Sequence, residues 1–212
     1  MKHYSNEQLN TLKGKMERVG IQTPLQAILN LFKEEELNIE SIKFSQAYRG
    51  ETLYLNEATY LILPEYQAEK QARESLEELL EEYGLSIFEV NPYYYMDKGM
   101  LREMMEDDLY MWLEGAGEED IKERMEALGV EDEDALIEAL LNKYNPLDYL
   151  LDFYEEDDLV KILLTEGGIN TEELFDDLIS WYGRGHQIAC YDEIEIELGS
   201  FEDESYYAYR MA

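Results

Sequence analysis

Apolar positions along the chain set out a series of elements. Leu9, Leu12, Met16 and Val19 recur at three- to four-residue spacing, which predicts a helix with one buried face. "TPLQAILNLFKEEE" predicts a second helix, with Thr23 as N-cap and Pro24 as its first residue. "IKFSQAYRGETLYLNEATYLILP" reads as two or three short strands, with turns at Arg49-Gly50 and Asn56-Glu57 and Pro64 closing the last.

Beyond Pro64, helical spacing dominates. Ala68, Ala72, Leu76, Leu79, Leu80 and Tyr83 form one stripe; Glu69, Glu74, Glu77, Glu78, Glu81 and Glu82 fill most of the rest, and Gly84 is the C-cap. "MLREMMEDDLYMWLEG" repeats the plan with Leu101, Met105, Leu109 and Trp112 on its apolar side. A third helix runs to Leu128 before Gly129, and a fourth, "EDEDALIEALLNKY", ends near Asn145. Asn145 and Pro146 read as cap and first residue of the helix carrying "LDFYEEDDLV". In "NTEELFDDLISWYG", Asn170 and Glu173 form a capping box. "DEIEIELGS" alternates, with Ile194, Ile196 and Leu198 on one face and Glu193, Glu195 and Glu197 on the other, and predicts a strand paired with "SYYAYRM". The expected fold is α+β and mostly helical, with a small sheet in the N-terminal half and a C-terminal strand pair. Residues 1–63 form a near-neutral region and 64–212 an acidic, mostly helical one ending in a β-hairpin; the two can share one compact domain.

Charge sharpens that division. The 212 residues carry 50 acids against 17 Lys and Arg, a formal net charge of −33. Residues 1–60 hold 7 cations and 8 acids, whereas residues 61–212 hold 10 cations and 42 acids. A uniformly acidic, salt-adapted composition would spread its acids and lean on Asp; here 36 are Glu and 14 Asp. Hydrophobic residues make up 45%, so the acidic part is a folded body and no solvated tail. First-turn acids such as Glu118, Glu119, Glu172 and Glu173 suit the helix dipole. Mid-helix positions nevertheless forgo the Glu–Lys pairs that ordinary exposed helices use. Self-repulsion of this size costs stability, so the pattern points to a partner.

Duplex DNA carries one negative charge per roughly 1.7 Å of axis, so a ladder of carboxylates resembles it electrostatically. The clusters at Glu103, Glu106, Asp107 and Asp108, at Glu131, Asp132, Glu133 and Asp134, at Glu155, Glu156, Asp157 and Asp158, and at Asp176 and Asp177 are the candidate phosphate substitutes. Tyr93, Tyr94 and Tyr95 are candidate interface aromatics that would stack on the arginines lining nucleic-acid channels. The expected partner is a host nucleic-acid-binding protein with a basic groove. Direct nucleic-acid binding and membrane binding are not expected of so anionic a surface. A solvated helix face is the plainer account of such runs, and an accessory protein for some other basic partner is the alternative function. Oligomeric state stays open.

No catalytic or cofactor chemistry is expected. "EDEDALIEALL" lacks the central Gly of a calcium loop. There is no phosphate-cradling Gly loop, G-x-S-x-G or H-E-x-x-H, and two histidines, His3 and His186, are too few for most zinc sites. Cys190 is the lone cysteine, which excludes an internal disulfide. A Cys190–His186 nucleophile pair is disfavoured, because the two flank a turn entering a strand; Cys190 reads as a small buried residue. Arg184 and His186 are expected to bond helix-end carbonyls or nearby acids, with Gly183 and Gly185 supplying the turn. A two-helix DNA reader would need a basic face that residues 1–60 lack. No apolar run reaches the roughly 18 residues of a membrane span, and "MKHYSNEQLN" has no signal-peptide core, so an intracellular location is expected.

Gly183 to His186, Tyr191-Asp192, Glu193 to Leu198 and Tyr207 to Arg210 together read "GRGHQIACYDEIEIEL…YYAYR". This segment resembles the close of an uncharacterised protein family of tailed bacteriophages. "YLILPEYQAEKQARESLEELL" is similar to that family's strand-then-acidic-helix segment, with Pro64-Glu65-Tyr66-Gln67-Ala68 in place of its acidic Thr-Asp/Glu-Glu-Glu-Ala run. The resemblance covers about 50 residues and implies no activity. It implies a phage origin and action in the host bacterial cytoplasm. With the charge pattern, it favours an anti-defence inhibitor that mimics nucleic acid in a CRISPR effector or restriction enzyme.

Overall fold

A computed structural model describes residues 4–32, 38–47, 49–55 and 57–212. Residues 33–37, which include the "KEEE" of the second predicted helix, and Asn56 of the second predicted turn lie outside them, as does His3. The chain forms two compact units: residues 1–82 with 175–212, and an inserted unit of residues 83–174. The change in charge at Pro64 is therefore not where the compact units divide.

The first unit begins with α1 (Asn6–Val19), where the Ser5 hydroxyl and the Gln8 side chain form a capping box and Gly20 closes the helix in the left-handed region. Leu12 and Met16 are its buried positions. α2 (Leu25–Leu31) starts one residue later than the pattern predicts. Pro24 holds the N-cap position, and the Thr23 amide and hydroxyl both donate to the Glu51 carboxylate, so Thr23 ties the helix entry to a strand and does not cap it. The Lys15 ammonium donates to the carbonyls of Ile39, Glu40 and Ile42 at 2.7–2.9 Å, fixing the approach to the sheet.

Strands β1 (Lys43–Ala47), β2 (Gly50–Leu55) and β3 (Ala58–Pro64) form an antiparallel meander. The C-terminal strands β4 (Glu195–Phe201) and β5 (Glu204–Arg210) pair as predicted, but they do not stand apart. β5 pairs with β3, Leu61 opposite Tyr209, giving one antiparallel sheet ordered β1-β2-β3-β5-β4. β3 is buried on both faces, which explains its unbroken apolar run: Leu53, Leu55, Ile62, Leu198 and Ala208 pack with α1 and α2, and Leu61, Leu63 and Tyr209 pack on the opposite side. There they meet Ala68 and Ala72 of α3 (Glu65–Tyr83), Ile179 of α9 (Thr171–Tyr182), and Ile188 of α10 (Arg184–Ile188). Leu198 forms a bulge, because Glu197 faces Tyr207 while Gly199 faces Tyr206. Ile194 precedes β4 and is exposed, so the predicted apolar face begins at Ile196.

The inserted unit is helical: α4 (Lys98–Gly115), α5 (Glu118–Leu128), α6 (Glu133–Lys143), α7 (Pro146–Leu151) and α8 (Glu156–Glu166). Met105, Leu109, Leu136, Ile137, Leu140 and Leu141 form its core. Asp97, Asp132 and Asn145 cap α4, α6 and α7. The stretch "LDFYEEDDLV" is not one helix. α7 ends at Leu151, the chain turns through Asp152 to Tyr154, and Glu156, Asp157 and Asp158 occupy the first turn of α8, where the helix dipole favours carboxylates. Asn170 caps α9 by accepting from the Glu173 amide, but its own side-chain amide, not its backbone, bonds the Glu173 carboxylate; its backbone N–H donates to Tyr95. Among the described residues, no helix is long and apolar enough to cross a membrane.

Candidate acidic interface

Twelve of the fourteen candidate carboxylates, Glu103 to Asp158, fall in the inserted unit; Asp176 and Asp177 fall in the other. The inserted unit holds 26 acids and six cations in 92 residues, a net charge of −20. Glu103, Asp107, Glu131 to Asp134 and Glu155 to Asp158 are exposed, while Glu106 and Asp108 are half-buried. Asp176 is ion-paired with Arg73, which also meets Glu69 at 3.2 Å, so it is a weaker phosphate substitute than the sequence suggested. Asp132 accepts from the Ala135 amide at 2.7 Å and so serves the helix cap as well as the surface.

Asp158 lies 3.9 Å from the Lys161 ammonium, whereas three other acids accept from phenols. Tyr154 donates to Asp108 at 3.3 Å, Tyr110 to Asp134 with Glu106 close by, and Tyr93 to Glu156. Loss of water around each ring, and then the neighbouring carboxylates, push all three phenols above the ordinary tyrosine range, so they stay neutral donors. A neutral donor orients a carboxylate without cancelling its charge, as Lys or Arg would. The pattern gives the abundance of tyrosine a use that residue spacing did not reveal. Tyr110 and Tyr154 were missed for that reason.

Tyr93, Tyr94 and Tyr95 do not act together. They lie in and just after a single 3-10 turn; Tyr94 is 80% exposed, Tyr93 is turned to Glu156, and Tyr95 is a core residue at 5% exposure. Of the three, only Tyr94 is exposed to solvent.

The Gly-Arg-Gly-His segment is short helix α10, not a turn into a strand. Arg184 forms a two-pronged ion pair with Glu195, and its guanidinium lies 4.3 Å from the Tyr207 ring centre. Tyr209, fully buried, donates to the same Glu195. His186 Nδ1 lies 2.9 Å from Glu193 and its ring stacks on Tyr182, while Arg210 sits 4.0 Å over Tyr191. Residues of the quoted motif thus bind one another, and they fasten α10 to the C-terminal hairpin. As expected, Arg184 and His186 bond nearby acids. Cys190 is exposed, contrary to expectation, with its Sγ 3.8 Å from the Ile188 carbonyl. With His186 turned to Glu193 and Cys190 to Ile188, the geometry builds no nucleophile pair. Among the described residues, no three His, Cys, Asp or Glu side chains are grouped as a metal site.

No protein-family model, curated protein or solved structure matches the chain.

Proposed function

We propose that the chain is a bacteriophage anti-defence inhibitor, a nucleic-acid mimic that occupies the basic groove of a host nuclease such as a CRISPR effector or restriction enzyme. The observation that carries this reading is the charge of the inserted unit, −20 in 92 residues, spread over helices whose carboxylates face solvent. Twenty charges correspond to about 34 Å of duplex axis, roughly ten base pairs. Such a surface attracts a basic groove at long range and releases the groove's counterions as DNA does. Neutral tyrosine donors hold several carboxylates in place, which suits recognition by fixed arginines. No catalysis is required. The resemblance of the C-terminal segment to a phage family supports the origin and a host cytoplasmic location.

The test is a pull-down from bacterial lysate, washed in rising salt with and without excess duplex DNA. Mimicry requires a retained nuclease that elutes steeply with salt and is displaced by DNA. A partner that ignores added DNA overturns it and favours an accessory protein for another basic surface.

A further inference from the structure

Between α4, α5, α6 and α7 lies a cleft of about 520 Å³ within the inserted unit. Its composition differs from the rest of that surface. α7 and the turn after it supply Asp148, Tyr149, Asp152 and Phe153, two carboxylate–aromatic pairs that line the same cleft. The Tyr149 and Phe153 rings lie 5.0 Å apart at 46°, and Phe153 is 67% exposed. Both carboxylates are exposed beside them.

The other wall shows what these rings accept. Arg124 lies 4.6 Å over Trp112 and Lys143 5.3 Å over Tyr144, so two of the four aromatic rings in the cleft already carry a cation from the same chain. Arg124 also acts on the Tyr149 phenol, and Tyr144 packs 6.4 Å from Tyr149, so Phe153 is the ring of the cleft left open to a further cation. The α7 wall combines ring faces with Asp148 and Asp152, and the whole unit carries −20. An aromatic face attracts a guanidinium through its quadrupole, and an adjacent carboxylate takes its N–H donors. A small anion would meet the same carboxylates and the repulsive field of the unit.

We infer that this cleft seats an arginine side chain of the basic partner, stacked on Phe153 and bonded by Asp152 or Asp148. The inference rests on the reading of a basic partner and deepens it. The carboxylate ladder supplies long-range attraction, which salt screens, and the cleft supplies a desolvated anchor of the kind that dominates interface energetics. It also gives the partner a register, because one arginine must enter one cleft.

The probe is an arginine nonapeptide, compared with a lysine nonapeptide and with adenosine monophosphate, titrated into the isotope-labelled full chain at about 0.5 M salt, where diffuse attraction is screened. Expected are backbone amide shifts confined to residues 144–154, a preference for arginine over lysine, and affinity falling about five- to tenfold in Phe153→Leu and in Asp152→Asn. Leu keeps an apolar side chain at an exposed position, so the fold is preserved while the ring face is lost. Unchanged affinity in both variants, shifts confined to Glu103–Asp108, or shifts at the cleft from the nucleotide alone would each overturn it. The DNA-competition test is separate. Displacement by DNA with an empty cleft removes only the anchor, whereas an occupied cleft without DNA competition removes only mimicry.

Discussion

Arg184 and Glu195 face each other across the junction of α10 and β4, with Nε–Oε2 and Nη2–Oε1 both at 2.9 Å. Both side chains are largely shielded from water, and the pair is completed by the Tyr209 hydroxyl and the Tyr207 ring. Removing one member leaves the other charged and desolvated. Glu195→Gln should lower stability by about 3 kcal/mol, read from urea denaturation. Arg184→Lys should recover only part, since an ammonium cannot form the fork.

Tyr209 predicts a pH dependence. Burial, and then the Glu195 carboxylate, raise its folded-state ionisation well above the ordinary tyrosine value of about 10. The unfolded phenol ionises near 10 while the folded one does not, so its contribution is complete below pH 10 and lost as pH climbs above it. Urea midpoints of the native chain should therefore decline as pH rises above about 10. In Tyr209→Phe, less stable at neutral pH by about 2 kcal/mol, that alkaline decline should be shallower.

A Cβ at Gly185 would lie 2.5 Å from the Glu193 carbonyl oxygen and 2.7 Å from the Glu195 nitrogen. Both are backbone atoms, so relief requires α10 to move away from the strand entry. Gly185→Ala should cost about 2 kcal/mol by thermal or urea unfolding, despite being a gain in helix propensity.

Reversing Glu103, Asp107, Glu131, Glu133, Glu155 and Asp157 to Lys should abolish inhibition of the captured nuclease and leave the circular dichroism spectrum unchanged, because these exposed side chains cap no helix through a side-chain bond. Reversing Asp176, already ion-paired with Arg73, should change inhibition little. Full inhibition by the sixfold variant would end the mimicry reading.

Tyr154→Phe keeps every charge and removes the donor to Asp108. Stability should fall by about 1 kcal/mol. If oriented carboxylates matter, the affinity for the target falls more than this loss of stability explains, measured by calorimetric titration at temperatures where the variant is fully folded.

Much of the fold was legible in the residues. Leu12 and Met16, Ala68 and Ala72, and Leu101, Met105 and Leu109 all line helix faces that are buried, because a period near 3.6 leaves one face no alternative. The strand pair at the end was legible from its alternation. The joining of β5 to β3 was not, since roughly 140 residues separate them and pairing register is a long-range property. The break after Leu151 was also hidden: acids at the start of α8 have the same composition as acids along a continuous helix.

The sequence alone determined the charge, its segregation, the helix periods and the caps, because these depend on identity and near spacing. Tertiary structure decided which acids share a body, that Asp176 is ion-paired with Arg73 while Asp108 and Asp134 accept from phenols, and that Arg184 clasps Glu195. Those outcomes depend on which distant side chains arrive within about 3 Å of one another, and hydrogen bonds of that length have no signature in a linear pattern.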